Sequence, residues 1–333
     1  CEAYSRALNG FIVSREQNYQ LELRSGICCV EDSDASDINS LLDRANMALK
    51  TIKVKGAAQW KFYDHTMRDK LLREKDLEIR MEKALADGEF LVYIQPKYWV
   101  GTRALAGGEA LVRWKSPDQG FLSPGEFIPL FEKNRFIVKL DQFMFTSVCG
   151  LLRQWLDAGI EPRPLSVNVS RMQVHTPDFV ERYIRIKSQY AIPDGLLELE
   201  FTESIFFDNV ALLSSAVHEL RRAGIKCSID DFGAGYSSLN VLKALPVSVL
   251  KLDGMFFRTA KDDEQAKIVI RNIMRMAGEL KMATVAEGVE THEQVAFLET
   301  TGCDIIQGYV FARPMPAAEF TELLAGEGGH AER

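Results

Sequence analysis

The sequence predicts an α/β protein whose main part is a (βα)₈ barrel of the TIM type. From Phe90 onward, eight short segments rich in β-branched residues alternate with segments that have the apolar spacing of amphipathic helices. This repetition extends over about 240 residues, close to the usual size of such a barrel. No Gly-rich dinucleotide-binding motif follows the first strand, which disfavours an open doubly wound sheet, the alternative architecture.

The repetition defines the elements of the barrel in chain order. The predicted strands span residues 91–96, 105–114, 165–170, 197–204, 226–233, 249–254, 284–290 and 304–311. The predicted helices between them include residues 177–190, 212–224, 268–280 and 292–302. Gly224 and Gly302 fit helix ends, and Thr291 with Gln294 fits a capping box at a helix start.

The first 88 residues do not share this repeating pattern. We expect an N-terminal segment, residues 1–63, with a strand at 24–30 and a helix at 37–56. A charged stretch at 64–88 then predicts a helix that connects this segment to the barrel at 89–333. The apolar residues of the connecting helix form one stripe at positions 67, 71, 77, 81 and 85. Such a stripe is typical of a helix that packs on a neighbouring domain or a partner helix.

Composition and charge limit the class of partner. The chain has 333 residues, of which 47% are hydrophobic, so we expect a globular protein rather than a disordered one. The formal net charge of −7 argues against a polymeric nucleic acid as partner, because such partners are usually bound by a basic face.

The cysteines and the hydropathy pattern predict a cytoplasmic location. Six cysteines without a C-x-x-C pair, and five scattered histidines, suggest neither a zinc knuckle nor a disulfide framework. The sequence has no run of 18 apolar residues and no signal segment. The chain begins at Cys1 rather than Met, so we expect an upstream region, which would be able to tether the full-length protein to a membrane.

Polar side chains occur near the end of every predicted strand of the barrel. They are Gln95, Glu109, Asn168, Glu200, Asp230 with Asp231, Lys251, Glu287 and Gln307. Any one of them has a simpler explanation, such as capping the next helix or pairing with an arginine. Their presence on all eight strands favours a shared site, because the carboxyl ends of barrel strands face one mouth. Carboxylates that converge there would repel one another unless cations lay between them, which predicts a metal site.

The donor atoms of this set indicate the kind of metal. All of them are oxygens, which suit Mg²⁺ or Mn²⁺ better than zinc. The adjacent carboxylates of Asp230 and Asp231 would be able to bridge two ions, and two ions about 3.5–4 Å apart are suited to in-line attack on a phosphodiester. Lys251 is the one cation among the strand-end residues, and two roles are open for it. It either takes a proton from water or forms a structural ion pair with Asp253 or a neighbour.

Seven ordered motifs resemble those of the EAL family. The segment GGEALVRW at 107–114 is similar to the family signature, and the later motifs are SVNVS, LELEFTES, SIDDFGAGYSSL, LPVSVLKLD, VAEGVE and IIQGYVFARPMP. The resemblance implies a bacterial signalling enzyme that hydrolyses cyclic di-GMP to linear 5′-pGpG, and a homodimer formed through the barrel. The alternative is a cyclic di-GMP receptor without hydrolysis. Such receptors typically lack metal ligands or the lysine, and this chain keeps them all.

The resemblance also implies a role for each site residue. The first metal would be bound by Glu109, Asn168, Glu200 and Asp230, and the second by Asp230, Asp231 and Glu287. Lys251 would hold or deprotonate the attacking water, with Gln307 beside it. Gln95 and Arg113 would contact the dinucleotide. Glu203 and Glu290 would steady the loop DFGAGYSSL at 231–239.

The N-terminal segment resembles the C-terminal half of a GGDEF domain. The similarity lies in RSGICCV at 24–30, LLDRANMALKTIKVKG at 41–56 and KFYD at 61–64. Asn46 stands where that family usually has Asp, and the GGDEF signature itself does not occur in the sequence. We therefore predict a structural or regulatory collar of partial α+β fold without cyclase activity. A sensory or GGDEF region upstream of it is compatible with this resemblance.

Overall fold

The computed structural model describes six ranges of the chain: residues 24–30, 37–52, 60–208, 210–233, 246–259 and 263–328. The chain divides into two compact units, Cys1–Met81 and Glu82–Arg333. Among the helices that these ranges contain, none is long and apolar enough to cross a membrane.

The N-terminal unit contains a two-stranded parallel sheet. Strand β1 (Ser25–Ile27) pairs with β2 (Trp60–Phe62), and helix α1 (Ile38–Lys50) lies against β1. A Cβ atom at Gly26 would lie 1.9 Å from the carbonyl oxygen of Ala45, so the close approach of α1 requires glycine there. The helix predicted at 37–56 ends earlier than expected, at Lys50. Three of the next four residues, Thr51, Ile52 and Val54, are β-branched, which weakens helix propensity.

A long helix, α2 (His65–Ala86), joins the two units in sequence. It occupies nearly the whole stretch for which a connecting helix is predicted. Ion pairs between residues four apart line its surface, including one between Arg80 and Asp76 at 3.8 Å. Exposed pairs of this kind each contribute only about 0.3–0.5 kcal/mol.

Eight strands close into the predicted barrel. They are β3 (Phe90–Trp99), β4 (Leu105–Ser116), β6 (Leu165–Val169), β7 (Leu197–Thr202), β8 (Lys226–Phe232), β9 (Val249–Leu252), β10 (Ala283–Ala286) and β11 (Ile305–Ile306). Each strand pairs with the next, and β3 closes the ring by pairing with both β4 and β11. Two short strands, β5 (Gly120–Leu122) and β12 (Met315–Pro316), extend the sheet beside β4 and β3. The predicted (βα)₈ fold is confirmed.

The direction of β3 differs from the all-parallel arrangement that the strand-helix repetition predicts. β3 is antiparallel to both of its neighbours, β4 and β11. Only residues 100–104 connect β3 to β4, and so short a link forms a hairpin, whereas a parallel crossover needs a dozen or more residues. β3 therefore runs from the mouth of the barrel toward its opposite end. It also continues to Trp99, three residues beyond the predicted end at Pro96.

Several strands are shorter at the mouth than the sequence predicts. The predicted strands at 284–290 and 304–311 contain ladders of only four and two residues, β10 and β11. Gly288, with a φ of +60°, interrupts the first of them. Gly308 follows the second, and a Cβ there would lie 2.0 Å from the carbonyl oxygen of Val289. The residues beyond these ladders form the loops that carry the polar side chains of the mouth.

Helices surround the barrel, with the hydrophobic core between them and the outward faces of the strands. They are α3 (Pro124–Asn134), α4 (Ile137–Asp157), α5 (Arg171–Val174), α6 (Phe179–Gln189), α7 (Glu203–Asp208), α8 (Val210–Arg222), α9 (Met255–Thr259), α10 (Glu264–Glu279), α11 (His292–Glu299) and α12 (Ala317–Gly328). The predicted capping box of Thr291 and Gln294 starts α11. Gly224 and Gly302, with φ of +76° and +77°, follow helices as predicted.

Candidate metal centre

The candidate site lies inside one end of the barrel, where strand residues alternate between an outward apolar face and an inward polar face. In β7, Leu199 and Phe201 are buried among the helices, while Glu200 between them faces inward. In β9, Leu250 and Leu252 have the same outward role, and Lys251 faces inward. Because successive side chains of a strand point to opposite faces of the sheet, a polar residue between two apolar ones points toward the interior of the barrel.

Lys251 lies at the centre of the site and is fully buried. Its Nζ atom lies 2.6 Å from Glu200 Oε2, 2.5 Å from Glu287 Oε1, 3.0 Å from Asp230 Oδ1 and 3.6 Å from Glu109 Oε2. The structure thus brings together four of the predicted carboxylates, each from a different strand or from the residue that follows it. A single ammonium group contacts all four of them.

Asp253, the other partner predicted for Lys251, makes a different contact. Asp253 lies two residues further along the chain, and its Oδ1 accepts the backbone N–H of Met255 at 2.6 Å. The close ion pairs of Lys251 therefore involve the mouth carboxylates rather than this residue.

Burial and charge shift the pKa values of the central groups in opposite directions. Burial alone would lower the pKa of Lys251, but Glu109 and the other carboxylates around it raise that pKa well above its usual value. Burial raises the pKa of Glu109 and of Glu287. Glu200 differs because two lysines contact it. Burial would raise its pKa, yet Lys251 and Lys97 lower it to about 2.

The two adjacent aspartates both face the mouth because the backbone of β8 is irregular there. In a regular strand, neighbours such as Asp230 and Asp231 would point to opposite faces of the sheet. Asp231 instead has a φ of +53°, and the pairing with β9 shifts register between Ile229 and Phe232. The backbone N–H of Asp231 donates to Asp230 Oδ1 at 2.9 Å. Burial and the nearby Asp230 carboxylate raise the pKa of Asp231 to about 6.

These residues fit a divalent cation. Asp230, Asp231 and Glu287 each offer a carboxylate oxygen, and the three oxygens lie within 4.8 Å of one another. With Glu109 and Glu200, five carboxylates share the centre with the ammonium groups of two lysines, Lys97 and Lys251. The excess of negative charge and the all-oxygen donor set are typical of a site for a hard ion such as Mg²⁺ or Mn²⁺.

Two amide side chains donate to Glu109 at the edge of this cluster, and a third contacts one of them. Asn168 Nδ2 donates to Glu109 Oε1 at 2.8 Å, and Gln307 Nε2 donates to Glu109 Oε2 at 2.6 Å. Gln307 Nε2 also lies 3.2 Å from Gln95 Oε1. Because Asn168 uses its NH₂ group for this contact, its carbonyl oxygen remains available as a ligand.

A model of the EAL domain matches residues 79–314 of the chain. The chain belongs to the EAL domain family. Among its curated relatives, the cyclic di-GMP phosphodiesterase NbdA of Pseudomonas aeruginosa is 34% identical over 292 residues, covering 88% of this chain and 37% of NbdA. The cyclic di-GMP phosphodiesterase PdeR of Escherichia coli is 32% identical over 287 residues, covering 86% of this chain and 43% of PdeR. The chain therefore spans less than half the length of these relatives.

Solved EAL structures have the same fold. A complex of the PaMucR phosphodiesterase with c-di-GMP superposes with a TM-score of 0.70 and 34% identity, covering 74% of this chain and 99% of that one. The EAL domain of Mycobacterium smegmatis DcpA has a TM-score of 0.62 and 29% identity, covering 71% of this chain and 98% of that one.

The remaining predicted residues of the EAL site are Glu203, Glu290 and Arg113. Glu203 is buried at the start of α7, and its Oε2 accepts the backbone N–H of Gly233 at 3.1 Å. Glu290 is exposed, and its backbone N–H donates to Gln294 Oε1 at 2.8 Å. The loop that both were predicted to steady continues through 234–239, which lies outside the described residues. Arg113 is half-buried on β4, with its guanidinium 5.6 Å from the centre of the Tyr93 ring.

Lys97 is a further polar residue of the site that was not predicted, and it is buried in the interior of the EAL barrel. Its Nζ donates to Ser166 Oγ at 2.7 Å and to Glu200 Oε1 at 2.9 Å. The predicted strand ended at Pro96, so this lysine fell just outside it. The alternation of Gln95 and Lys97 on one face of the same strand is the signal that would have found it.

Proposed function

We propose that this EAL domain hydrolyses cyclic di-GMP by opening one phosphodiester to give linear 5′-pGpG. The observation that carries the proposal is the fully buried Lys251 with four carboxylates around it, beside the oxygen cluster of Asp230, Asp231 and Glu287. The names of NbdA and PdeR, and the c-di-GMP complex of PaMucR, support the choice of substrate.

Two divalent ions, Mg²⁺ or Mn²⁺, belong to this proposal. Their ligands would be Glu109, Asn168, Glu200, Asp230, Asp231 and Glu287. When bound, such ions lower the pKa of water and neutralise charge on the phosphoryl oxygens.

The side chains of the protein have separate tasks in the proposed reaction. Lys251 would hold the attacking water, with Gln307 beside it. Once divalent ions neutralise the carboxylates around Lys251, its pKa would fall and allow it to take a proton from that water. The oxygen of water forms a bond to phosphorus while the bond to the 3′ oxygen breaks, and a proton passes to that oxygen. Gln95 and Arg113 bind the dinucleotide, for which the Arg113 guanidinium supplies a cation close to the mouth.

The organisation of the whole protein is also a proposal. We infer a cytoplasmic enzyme with a collar at 1–63, a connecting helix at 64–88 and the phosphodiesterase barrel at 89–333. An upstream sensory or GGDEF region agrees with the greater length of the relatives. A homodimer through the barrel would cover exposed apolar side chains such as Ile268 and Val269 on α10, and the mass in solution tests it.

The test of the proposed reaction is a product assay. Purified protein is incubated with cyclic di-GMP and either Mg²⁺ or Mn²⁺, and the nucleotides are separated by anion-exchange chromatography. We expect cyclic di-GMP to disappear while one new peak, 5′-pGpG, appears. Tight binding of cyclic di-GMP without any linear product would contradict hydrolysis and favour the receptor alternative.

Replacing Glu203 by alanine tests whether this carboxylate anchors the loop after β8. The variant is expected to fold but to lose turnover and metal affinity by about 10–100-fold, because Gly233 loses its acceptor and Asp230 and Asp231 are then misplaced. Melting temperature and metal-titrated activity are measured on the same sample.

A glutamate that caps a helix elsewhere is the matched control for Glu203. Glu126 Oε1 accepts the backbone N–H of Ser123 at 3.4 Å at the start of α3, in a capping box. Glu126→Ala removes one of the two capping-box hydrogen bonds, so it should lower stability modestly and leave turnover per folded molecule intact. If Glu203→Ala behaves in the same way, Glu203 has only a capping role.

Deleting residues 1–63 tests the proposed role of the N-terminal segment. We expect the remaining chain to stay folded and to hydrolyse cyclic di-GMP, because every residue of the proposed centre lies in the unit Glu82–Arg333. The full chain should make no cyclic di-GMP from GTP. Circular dichroism and the product assay measure both properties. Synthesis of cyclic di-GMP by the full chain, or an unfolded barrel after the deletion, would overturn the collar hypothesis.

A further inference from the structure

Lys97 occupies an unusual position for a lysine, because it lies inside the barrel and is only 6% exposed. β3 is antiparallel to its neighbours, so the chain descends from the mouth after Gln95. Gln95 pairs with Glu109 at the level of the mouth, and Lys97 pairs with Gly107, deeper in the barrel. The lysine side chain then extends back toward the centre from below.

Both oxygens of Glu200 are held by lysines, and each lysine holds a different oxygen. Lys97 Nζ donates to Oε1 at 2.9 Å, and Lys251 Nζ donates to Oε2 at 2.6 Å. Ser166 Oγ accepts a second hydrogen bond from Lys97 at 2.7 Å, which fixes the ammonium group. Because the glutamate is 1% exposed, neither oxygen can exchange its partner for bulk water.

The two lysines differ in their distance from the other carboxylates. Lys251 lies among Glu109, Asp230 and Glu287, on the side where the oxygen cluster could hold an ion. Among the described residues, the ion pair of Lys97 is with Glu200 Oε1, at 2.9 Å. A cation at the mouth would therefore approach Glu200 from the Oε2 side, while Oε1 stays bound from below.

The number of free carboxylate oxygens matters for metal selection. Ca²⁺ takes six to eight oxygen ligands and often binds both oxygens of a carboxylate, whereas Mg²⁺ requires near-octahedral geometry with shorter bonds. An ion at Oε2 of Glu200 meets Lys251 in either binding mode, whereas only an ion that binds both oxygens also meets the Lys97 ammonium on Oε1. Lys97 therefore disfavours two-oxygen binding by this glutamate.

We propose that Lys97 is a positioning residue that makes Glu200 a one-oxygen ligand and thereby favours Mg²⁺ and Mn²⁺ over Ca²⁺. The inference rests on the metal site of the proposed function. The new element is that Lys97, which would contact neither metal nor substrate, contributes to the discrimination between ions. Its positive charge weakens the binding of every divalent ion alike, so only the occupation of Oε1 affects the ratio of their affinities.

The test is the ratio of Ca²⁺ to Mn²⁺ affinity, measured by calorimetric titration of the full chain without substrate. In Lys97→Met, Oε1 of Glu200 loses its ammonium partner while Lys251 still contacts Oε2. The ratio is expected to shift toward Ca²⁺ by about 10-fold or more, the scale on which groups that hold a ligand change metal affinity. Lys97→Gln keeps an N–H donor for Oε1 without the charge, so its ratio should stay near that of the parent. A folded Lys97→Met protein with an unchanged ratio would refute the proposal.

Lys187 provides the matched control. It is another buried lysine of the barrel domain, and it contacts Asp194 and the carbonyl oxygen of Ala223. Lys187→Met should cost stability and leave the ion ratio unchanged. A shift of the same size in both variants would show a general effect of losing a buried lysine, and the proposal would fail.

A crystal structure of the parent protein with Mn²⁺ tests the same inference without any variant. We expect only Glu200 Oε2 to contact the ion while Oε1 keeps its bond to Lys97, and both oxygens on the ion would contradict this. These measurements do not depend on turnover. A parent that binds Mn²⁺ but leaves cyclic di-GMP intact would refute the proposed function alone.

Discussion

Chelation of divalent cations with EDTA is expected to abolish the hydrolysis of cyclic di-GMP, and added Mg²⁺ or Mn²⁺ should restore it. The reason is the charge of the centre, where five carboxylates share the space with two lysines and a phosphodiester would add further negative charge. Without divalent cations, the centre would repel the group on which it acts. Turnover is measured by the product assay before chelation, after chelation and after each metal is returned.

The aspartate between the two proposed metals should be the most sensitive position. Asp230→Asn removes a carboxylate that lies 3.0 Å from Lys251 and shares an oxygen cluster with Asp231 and Glu287. We expect no activity at ordinary metal concentrations. Asp304→Asn is the control, because Asp304 lies just before β11 at the opposite end of the barrel and accepts hydrogen bonds from Thr284. Undiminished turnover after exhaustive chelation would contradict a metal-dependent mechanism.

Lys251→Ala should separate binding of the dinucleotide from its hydrolysis. In the presence of metal, the variant is expected to fold and to bind cyclic di-GMP within about tenfold of the parent, but to lose at least about 10² in turnover, the scale for removing a group that transfers a proton. Binding should persist because Lys251 contacts the carboxylates of the centre, whereas Gln95 and Arg113 are the residues proposed to bind the dinucleotide. Calorimetry gives the affinity and the product assay gives the rate.

Arg113→Ala provides the opposite result for comparison. Arg113 lies on β4, with its guanidinium 5.6 Å from the centre of the Tyr93 ring on β3, and is proposed to contact the dinucleotide. Its loss should weaken binding more than it lowers the rate at saturating substrate. Near-parental turnover of Lys251→Ala would show that the lysine does not handle the proton of the attacking water.

The barrel could be predicted because each strand has an alternating or continuous apolar pattern, and the helices between the strands have helical spacing. The direction of β3 could not be predicted in the same way. The strand-helix repetition implies parallel strands throughout, whereas the short connection between β3 and β4 forms a hairpin. The expectation of a parallel β3 also left Lys97 out of the predicted site. In an antiparallel strand the residue two positions after Gln95 lies deeper in the barrel, whereas in a parallel strand it would lie beyond the mouth.

The composition of the centre was accessible from the strand ends, but its geometry was not. The sequence shows two adjacent aspartates, and only the left-handed backbone at Asp231 brings both carboxylates to the same side. The contacts of Lys251 with four carboxylates likewise depend on the closure of the barrel. Closure brings Glu109 Oε2, far away in sequence, to 3.6 Å from Lys251 Nζ. The exposed Glu290 shows the limit of spacing arguments. It lies three residues after Glu287, as Glu203 does after Glu200, yet only Glu203 is buried.

The most direct test of the proposed hydrolysis is the mass of the product formed in water enriched in ¹⁸O. If water attacks phosphorus and the 3′ oxygen leaves, linear 5′-pGpG made in a single turnover should carry one ¹⁸O atom, in its terminal phosphate. Mass spectrometry of the chromatographic peak and of its phosphate fragment gives both the number and the position of the label. Absence of any linear product with Mg²⁺ or Mn²⁺ present, or a linear product without ¹⁸O, would contradict the attack of water at this centre.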